Sequence, residues 1–313
     1  MGRAAQHVSR RRWLAAWPAL AAAAVAIGRD AVAQAPLPLH QRRIPASGEA
    51  LPLVGLGSWI TFNVGNDRAA RDACAEVVRA FFAHGGRLID SSPMYGSSQP
   101  VIGHALARLG HPDTLFSAEK VWIGDPERGA AQMDASRAHW GVRRFDLMQV
   151  HNLLAWEGHL PRLLALKAEG RLRYVGITTS EGRRHGEIER VMRSQPIDFV
   201  QITYNPLDRE VEPRILPLAQ ERRIAVIVNR PFREGALLQA LARHKVPGWA
   251  AELGCDGWAQ AVLKFIVSHP AVTCAIPATS QVAHAVQNLG AARGPLPDAA
   301  MRARIAADVA ARG

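Results

Sequence analysis
Cysteine is nearly absent from this chain. Cys74, Cys255 and Cys274 are the whole set, with no Cys-x-x-Cys pair and no Cys/His cluster. An odd number so placed argues against a disulfide framework and leaves no sequence sign of a metal. Cys74 and Cys274 lie in apolar surroundings, where the expected role is core filling. Lysine is scarce too: Lys120, Lys167, Lys245 and Lys264 are all there are, so the net charge of +11 rests on arginine. Arginine pairs stand at 42–43, 143–144, 183–184 and 222–223, and no longer run follows residue 12. Nucleic-acid binding would gather basic side chains on one face with aromatics among them. The scattered pairs read instead as a solvated basic surface that favours small anions. No Gly-x-Gly-x-x-Gly is present, which removes the usual sequence sign of a dinucleotide-binding doubly wound sheet.

Long apolar runs are also missing. The longest, Trp13 to Ile27, falls short of the ~20 residues that span a bilayer. Before it stands Ser9-Arg10-Arg11-Arg12, and after it Ala31-Val32-Ala33. A charged start, a short apolar middle and a small-residue end are the three parts of a secretory signal. The Arg pair between Ser9 and Trp13-Leu14 resembles a twin-arginine signal, which addresses folded proteins for export. The expectation is a signal peptide over 1–33, cleaved after Ala33, that engages the twin-arginine machinery and sends residues 34–313 to the periplasm or otherwise out of the cytoplasm. A membrane anchor is the alternative, and the shortness of the apolar run counts against it.

The rest of the chain, 313 residues in all with 48% hydrophobic and 21% charged, has a globular composition. Beyond residue 50, short Val- and Ile-rich runs alternate with stretches of helical spacing. Strands are predicted at Leu53–Trp59, Arg87–Asp90, Leu115–Lys120, Leu147–His151, Tyr174–Thr178, Val200–Tyr204, Ala225–Asn229 and Val272–Ile276. Helices are predicted between them, at Asp67–Ala83, Leu160–Glu169 and Trp258–Ser268 among others. Eight strand–helix units imply an α/β fold, a closed (β/α)8 TIM barrel. Residues 231–255 break the rhythm and read as an inserted loop, which in barrels is usually functional. Arg42–Leu53 suggests a hairpin plugging the barrel's bottom, and Asp298–Ala311 an extra C-terminal helix.

Active sites of such barrels sit where the strands end. The second strand ends at Asp90, with Tyr95 five residues on; the third ends at Lys120 and the fourth at His151. Adjacent strands lie about 4.8 Å apart, so these groups can reach one point. The set suits hydride transfer to a carbonyl, whose oxygen needs a proton as charge develops. A phenol, with a pKa of about 10, is a weak acid for this. Lys120 can lower that pKa, Asp90 can offset the lysine's charge, and His151 can donate a hydrogen bond to the oxygen. Taken singly, each residue has a plainer reading as packing, a solvated tip, a core histidine or a helix cap. The case rests on the combination.

Asp90, Tyr95, Lys120 and His151 resemble the catalytic tetrad of the aldo/keto reductases in type, order and strand position. Gly55-Leu56-Gly57-Ser58-Trp59, Met94-Tyr95-Gly96-Ser97-Ser98, Gln201-Ile202-Thr203-Tyr204-Asn205-Pro206 and Ile276-Pro277-Ala278-Thr279-Ser280 are similar to that family's motifs. The resemblance implies NADP(H), with NAD(H) possible, lying across the barrel mouth. By that likeness Thr178 and Gln201 would hold the nicotinamide carboxamide, Thr179 would border the cofactor without the amide contacts of the Asn it replaces, and Tyr204 would stack on the nicotinamide ring. Arg230 and Gly235 would cover the pyrophosphate, and Pro277, Thr279, Ser280 and Asn288 would hold the adenosine end. Departures are Thr179 for an expected Asn, Gln99 for Glu, and Ala278 and His284 where relatives often carry Lys and Arg. The substrate would be a small carbonyl or alcohol in a pocket walled by Trp59, Trp122, Phe232 and Trp249. A sensor that binds the nucleotide with little turnover, and a hydrolase on the same barrel, are the competing readings. The hydrolase would want paired strand-end carboxylates, and Glu119 should point away from Lys120 by strand alternation.

Overall fold
The structure, a computed structural model, describes residues 37–313. The expected signal, residues 1–33, lies outside the described residues. The chain opens with an antiparallel hairpin, β1 (Gln41–Arg43) and β2 (Ala50–Pro52). Eight parallel strands follow: β3 (Leu56–Gly57), β4 (Leu88–Asp90), β5 (Phe116–Val121), β6 (Leu147–Val150), β7 (Tyr174–Thr178), β8 (Phe199–Thr203), β9 (Ala225–Asn229) and β10 (Val272–Ala275). They pair in chain order, and parallel bridges Val54–Ala275 and Gly57–Ala278 join the first to the last. The sheet is therefore the expected (β/α)8 barrel. A Cβ on Gly57 would lie 2.7 Å from the Ile276 carbonyl oxygen at this seam, and one on Gly55 2.9 Å from that of Leu88 on the neighbouring β4. Glycine is needed there because the two backbones approach too closely for a side chain.

The outer layer is α1 (Arg68–Ala83), α2 (Ser98–Arg108), α3 (Gly129–Trp140), α4 (Trp156–Ala168), α5 (His185–Ser194), α6 (Ile215–Glu221), α7 (Ala236–Leu241), α8 (Trp249–Glu252), α9 (Trp258–Val267), α10 (Val282–Gly290) and α11 (Ala299–Ala310). Strand alternation sorts the core into two parts. Leu88, Phe116, Leu147, Tyr174, Phe199, Ala225 and Ile227 point inward and fill the barrel's lower half. Ile89, Met148, Val150, Val175, Ile177, Val200, Ile202, Val226 and Val228 point outward under the helices. One layer higher the inward positions turn polar, with Asp90, Lys120, Gln149 and Gln201 all buried.

The hairpin closes the bottom. Ile44 and Leu51 join the interior cluster. Arg87 and Arg223, each just before a strand, donate to the carbonyls of Ala50 (2.7 Å) and Pro45 (2.9 Å), and the Tyr174 hydroxyl reaches Ser47 (2.6 Å). The segment 231–255 is more ordered than an inserted loop, since it holds α7 and α8. Trp249, expected to wall a pocket, is instead buried, donating its indole N–H to Asp308 on α11 at 2.7 Å. The cause is the pairing of its ring with Trp258, 6.3 Å away, and the carboxylate that the C-terminal helix offers its N–H.

Candidate active site
The polar layer opens into a cleft of about 400 Å³ at the strands' C-terminal ends. Asp90, Tyr95 and His151 line it, with Lys120 directly behind. Lys120 Nζ donates to Asp90 Oδ2 at 2.5 Å and to the Ser91 carbonyl at 2.7 Å, and sits 5.0 Å from the centre of the Tyr95 ring. The pair is almost fully buried, where each charge needs the other. Asp90 is further fixed by Gln201 Nε2 on its Oδ1 at 2.8 Å, and its carbonyl accepts from the Ser58 hydroxyl at 2.8 Å. The Tyr95 ring lies between Trp59, 4.9 Å away, and His151, 5.7 Å away and nearly perpendicular. His151 Nδ1 is 2.8 Å from Ser92 Oγ.

Burial raises the Tyr95 pKa above that of an ordinary phenol; the Lys120 charge and hydrogen bond oppose this without reversing it. The expected net lowering is thus overturned, because removing the phenolate from water outweighs one ammonium already held by Asp90. Burial, with Lys120's charge second, drives His151 down to about 2, so its imidazole is neutral. Glu119 faces away from this cleft, as alternation requires, and its carboxylate takes Gln99 Nε2 (2.9 Å) and Trp140 Nε1 (2.8 Å) under the helices.

Of the other expected contacts, Trp59, Thr178, Gln201, Arg230, Gly235, Thr279 and Asn288 line the cleft. Several do not. Tyr204 is wholly buried outside the barrel wall, donating to Glu212 and packed on Phe265 at 5.6 Å. Tyr204 is the first residue past β8 and three residues from Gln201, which puts the two on opposite faces of the sheet, so Tyr204 is not placed to stack in the cleft. Thr179 and Pro277 are buried and Ser280 is exposed, and all three stand outside the lining. Trp122 stands at the rim, 6.5 Å from the His151 ring and 40% exposed. Gln201 lines the cleft with its amide already engaged, by Asp90 and, at 3.4 Å, by Asn229 Nδ2. Residues the sequence did not single out include Ile60, Asn152, Ser180, Glu181, Asn229 and Glu234. Asn229 ends β9 and Asn152 follows His151, so the strand-end rule reaches both. Arg230 pairs with Glu181 (3.3 Å) and Glu234, and Arg183 with Glu181 (2.8 Å), so each cation at this rim faces a carboxylate. Among the described residues no group of three His, Cys, Asp or Glu side chains is placed to hold a metal.

The sequence profile of the Aldo/keto reductase family matches residues 53–307. The chain is 27% identical over 256 residues to the methylglyoxal reductase YeaE of Escherichia coli, covering 80% of this chain and 89% of that protein. It is 26% identical over 244 residues to the NADH-specific methylglyoxal reductase of the same organism, covering 67% and 73%. An aldo-keto reductase of Klebsiella pneumoniae, solved in complex with NADPH, superposes with a TM-score of 0.71 at 23% identity, over 86% of this chain and 94% of that one. The chain, with its barrel and its strand-end cluster, is a member of the aldo/keto reductase family of oxidoreductases.

Proposed function
We propose that this protein uses NAD(P)H to reduce a small aldehyde or ketone, or runs the reverse oxidation, with Tyr95 as general acid or base. The convergence of Asp90, Tyr95, Lys120 and His151 at one cleft carries the reading. A bound nicotinamide would supply the hydride. Tyr95, its pKa raised, holds its proton at neutral pH and has it to give. Lys120 stabilises the phenolate left behind, and Asp90 keeps the ammonium charged without leaving it unpaired. Neutral His151 orients the carbonyl by a hydrogen bond rather than by giving up a proton. Trp59, Ile60, Met94 and Phe232 give the cleft an apolar wall that excludes water and suits small organic carbonyls. The methylglyoxal reductases among the relatives place small aldehydes first in a substrate panel.

The cleft's lining offers polar groups for a nicotinamide nucleotide. It runs from Tyr95 past Thr178, Asn152 and Ser180 to Thr279, just before α10, and Asn288 on that helix. With Gln201's amide committed, Thr178, Asn152 and Ser180 are the polar groups left near the tetrad for a carboxamide. Backbone N–H groups opening α10 would face a phosphate. Ala278 and His284 leave that end without a lysine or arginine, so the preference for NADP(H) over NAD(H) is expected to be small. A sensor without turnover would have no need of a complete tetrad. We further propose export by the twin-arginine route, on the strength of Arg10-Arg11 and the apolar run behind it.

The test is Tyr95→Phe, assayed on a panel of small aldehydes and ketones by NADPH and NADH absorbance. Reduction falls by two or more powers of ten, on the order of a general acid's contribution, while NADPH still binds. Unchanged turnover would remove Tyr95 from its role.

A further inference from the structure
A neutral imidazole donates at one nitrogen and accepts at the other, and its neighbours decide which. For a histidine that must donate to a substrate's oxygen, the wrong tautomer presents a lone pair to that oxygen and repels it. In this protein the choice can be read from Ser92. Ser92 is fully buried, and its Oγ lies 2.8 Å from His151 Nδ1. The same Oγ accepts the backbone N–H of Met94 at 3.3 Å. The Ser92 hydroxyl must still place its own proton, because a buried donor without an acceptor is costly. Nδ1 is the acceptor the structure offers it.

We propose that Ser92 is a positioning residue that holds His151 as its Nε2–H tautomer, leaving Nε2 a donor toward the substrate's carbonyl oxygen. The inference rests on the reductase reading above and deepens it. The surroundings fix the ring as well as the proton. Tyr95 meets it edge-on at 5.7 Å and Trp122 tilts over it at 6.5 Å. The Tyr95 backbone N–H donates to the Ser92 carbonyl at 3.0 Å, so one short turn carries both the acid and the group that orients the histidine. Behind His151, the Asn152 N–H donates to Thr178 Oγ1 at 3.0 Å and anchors the backbone. Burial and the nearby Lys120 charge keep the ring neutral, so the tautomer, not the charge, is what remains to be set.

The experiment reads the tautomer without substrate. Long-range proton–nitrogen NMR of ¹⁵N-histidine-labelled protein, with His151 assigned by its loss in His151→Asn, should show a bare Nδ1 and a protonated Nε2. In Ser92→Ala the pattern shifts toward Nδ1–H, and turnover falls about tenfold, the loss expected for one well-aligned hydrogen bond. The NADPH dissociation constant stays unchanged, and Ser92→Thr, which keeps the hydroxyl, restores both tautomer and rate. A protonated Nδ1 in the unaltered protein overturns the proposal whether or not the variants fold. So does an Ser92→Ala protein with the same tautomer and rate. If the unaltered protein reduces no carbonyl at all, the reductase reading fails, and the spectrum still decides what Ser92 does.

Discussion

Glu119 and Lys120 are neighbours in the chain and strangers in the fold. Lys120 points into the barrel toward Asp90, while Glu119 points out beneath α2 and α3. It is fully buried there and accepts from Gln99, from Trp140 and from the Lys120 backbone N–H at 2.8 Å. Burial still dominates, and its pKa rises from 4.5 to about 7. Between those values the folded chain holds a proton that the unfolded chain has released, so stability is full below about 4.5 and is lost as pH rises through about 7. The gap corresponds to roughly 3 kcal/mol. His151, held down to about 2, has the opposite slope: its contribution is present above the unfolded value and falls as the medium becomes acid. Urea denaturation of the unaltered protein and Glu119→Gln at pH 5, 6, 7 and 8 separates the two, because His151 is common to both. The variant gains on the parent by roughly 2 to 3 kcal/mol across that range, since part of the loss has occurred by pH 5. A difference that stays constant with pH means that Glu119 does not titrate there.

At the scale of elements, the strands were the most legible part of the sequence. Each predicted strand overlaps an observed one, because an inward and an outward row of apolar residues leaves a dense Val and Ile run. The tetrad was legible for a related reason: Asp90, Lys120 and His151 each stand at the end of such a run, and the barrel's geometry does the rest. Two things were not. Facing along a strand was misjudged for Tyr204, since three steps from Gln201 crosses the sheet. Loop contacts such as Asn152, Glu181 and Glu234 depend on left-handed backbone, with φ of +51°, +63° and +58°, which leaves no periodic trace. Tyr204 serves an element instead of the cofactor. Arg302 on α11 donates to the Tyr204 hydroxyl, to Glu212 at 3.1 Å and to Ser268 at 3.0 Å, and lies 4.3 Å over the Phe265 ring. One guanidinium thus ties the last helix to α9 and to the loop after β8. Arg302→Ala should cost about 2 kcal/mol in urea denaturation, since Glu212 and the Tyr204 hydroxyl lose a partner in a mostly buried place. Arg302→Lys should recover only part of it, because an ammonium cannot span three partners as the planar fork does. A variant as stable as the parent would show that Arg302 does not help to hold α11.

The whole molecule has two unlike ends. The hairpin seals the bottom with Ile44 and Leu51. At the top, the cleft is assembled from loops after β3, β4, β6, β7, β9 and β10, with Gln201 of β8 at its floor. Apart from His111 and Arg223, every non-glycine residue with positive φ among the described residues lies in one of these upper loops. Such backbone costs energy and persists only where the surrounding fold over-determines it. A cleft of that kind does not exist in an unfolded chain, so a nucleotide can bind only once the barrel is closed. This bears on the proposed export. A route that threads unfolded chain would deliver an empty protein to a compartment where reduced nicotinamide is not made, whereas the twin-arginine route carries folded cargo. Arg10-Arg11 is the feature that would select it. Changing Arg10→Lys and Arg11→Lys together keeps the positive charge and removes the guanidinium pair. The doubly altered precursor should fold, bind NADPH and remain in the cytoplasm, as read by cell fractionation and by its protection from protease added outside. Export at the unaltered level would assign the N-terminal segment to another pathway and leave the cofactor to be acquired after crossing.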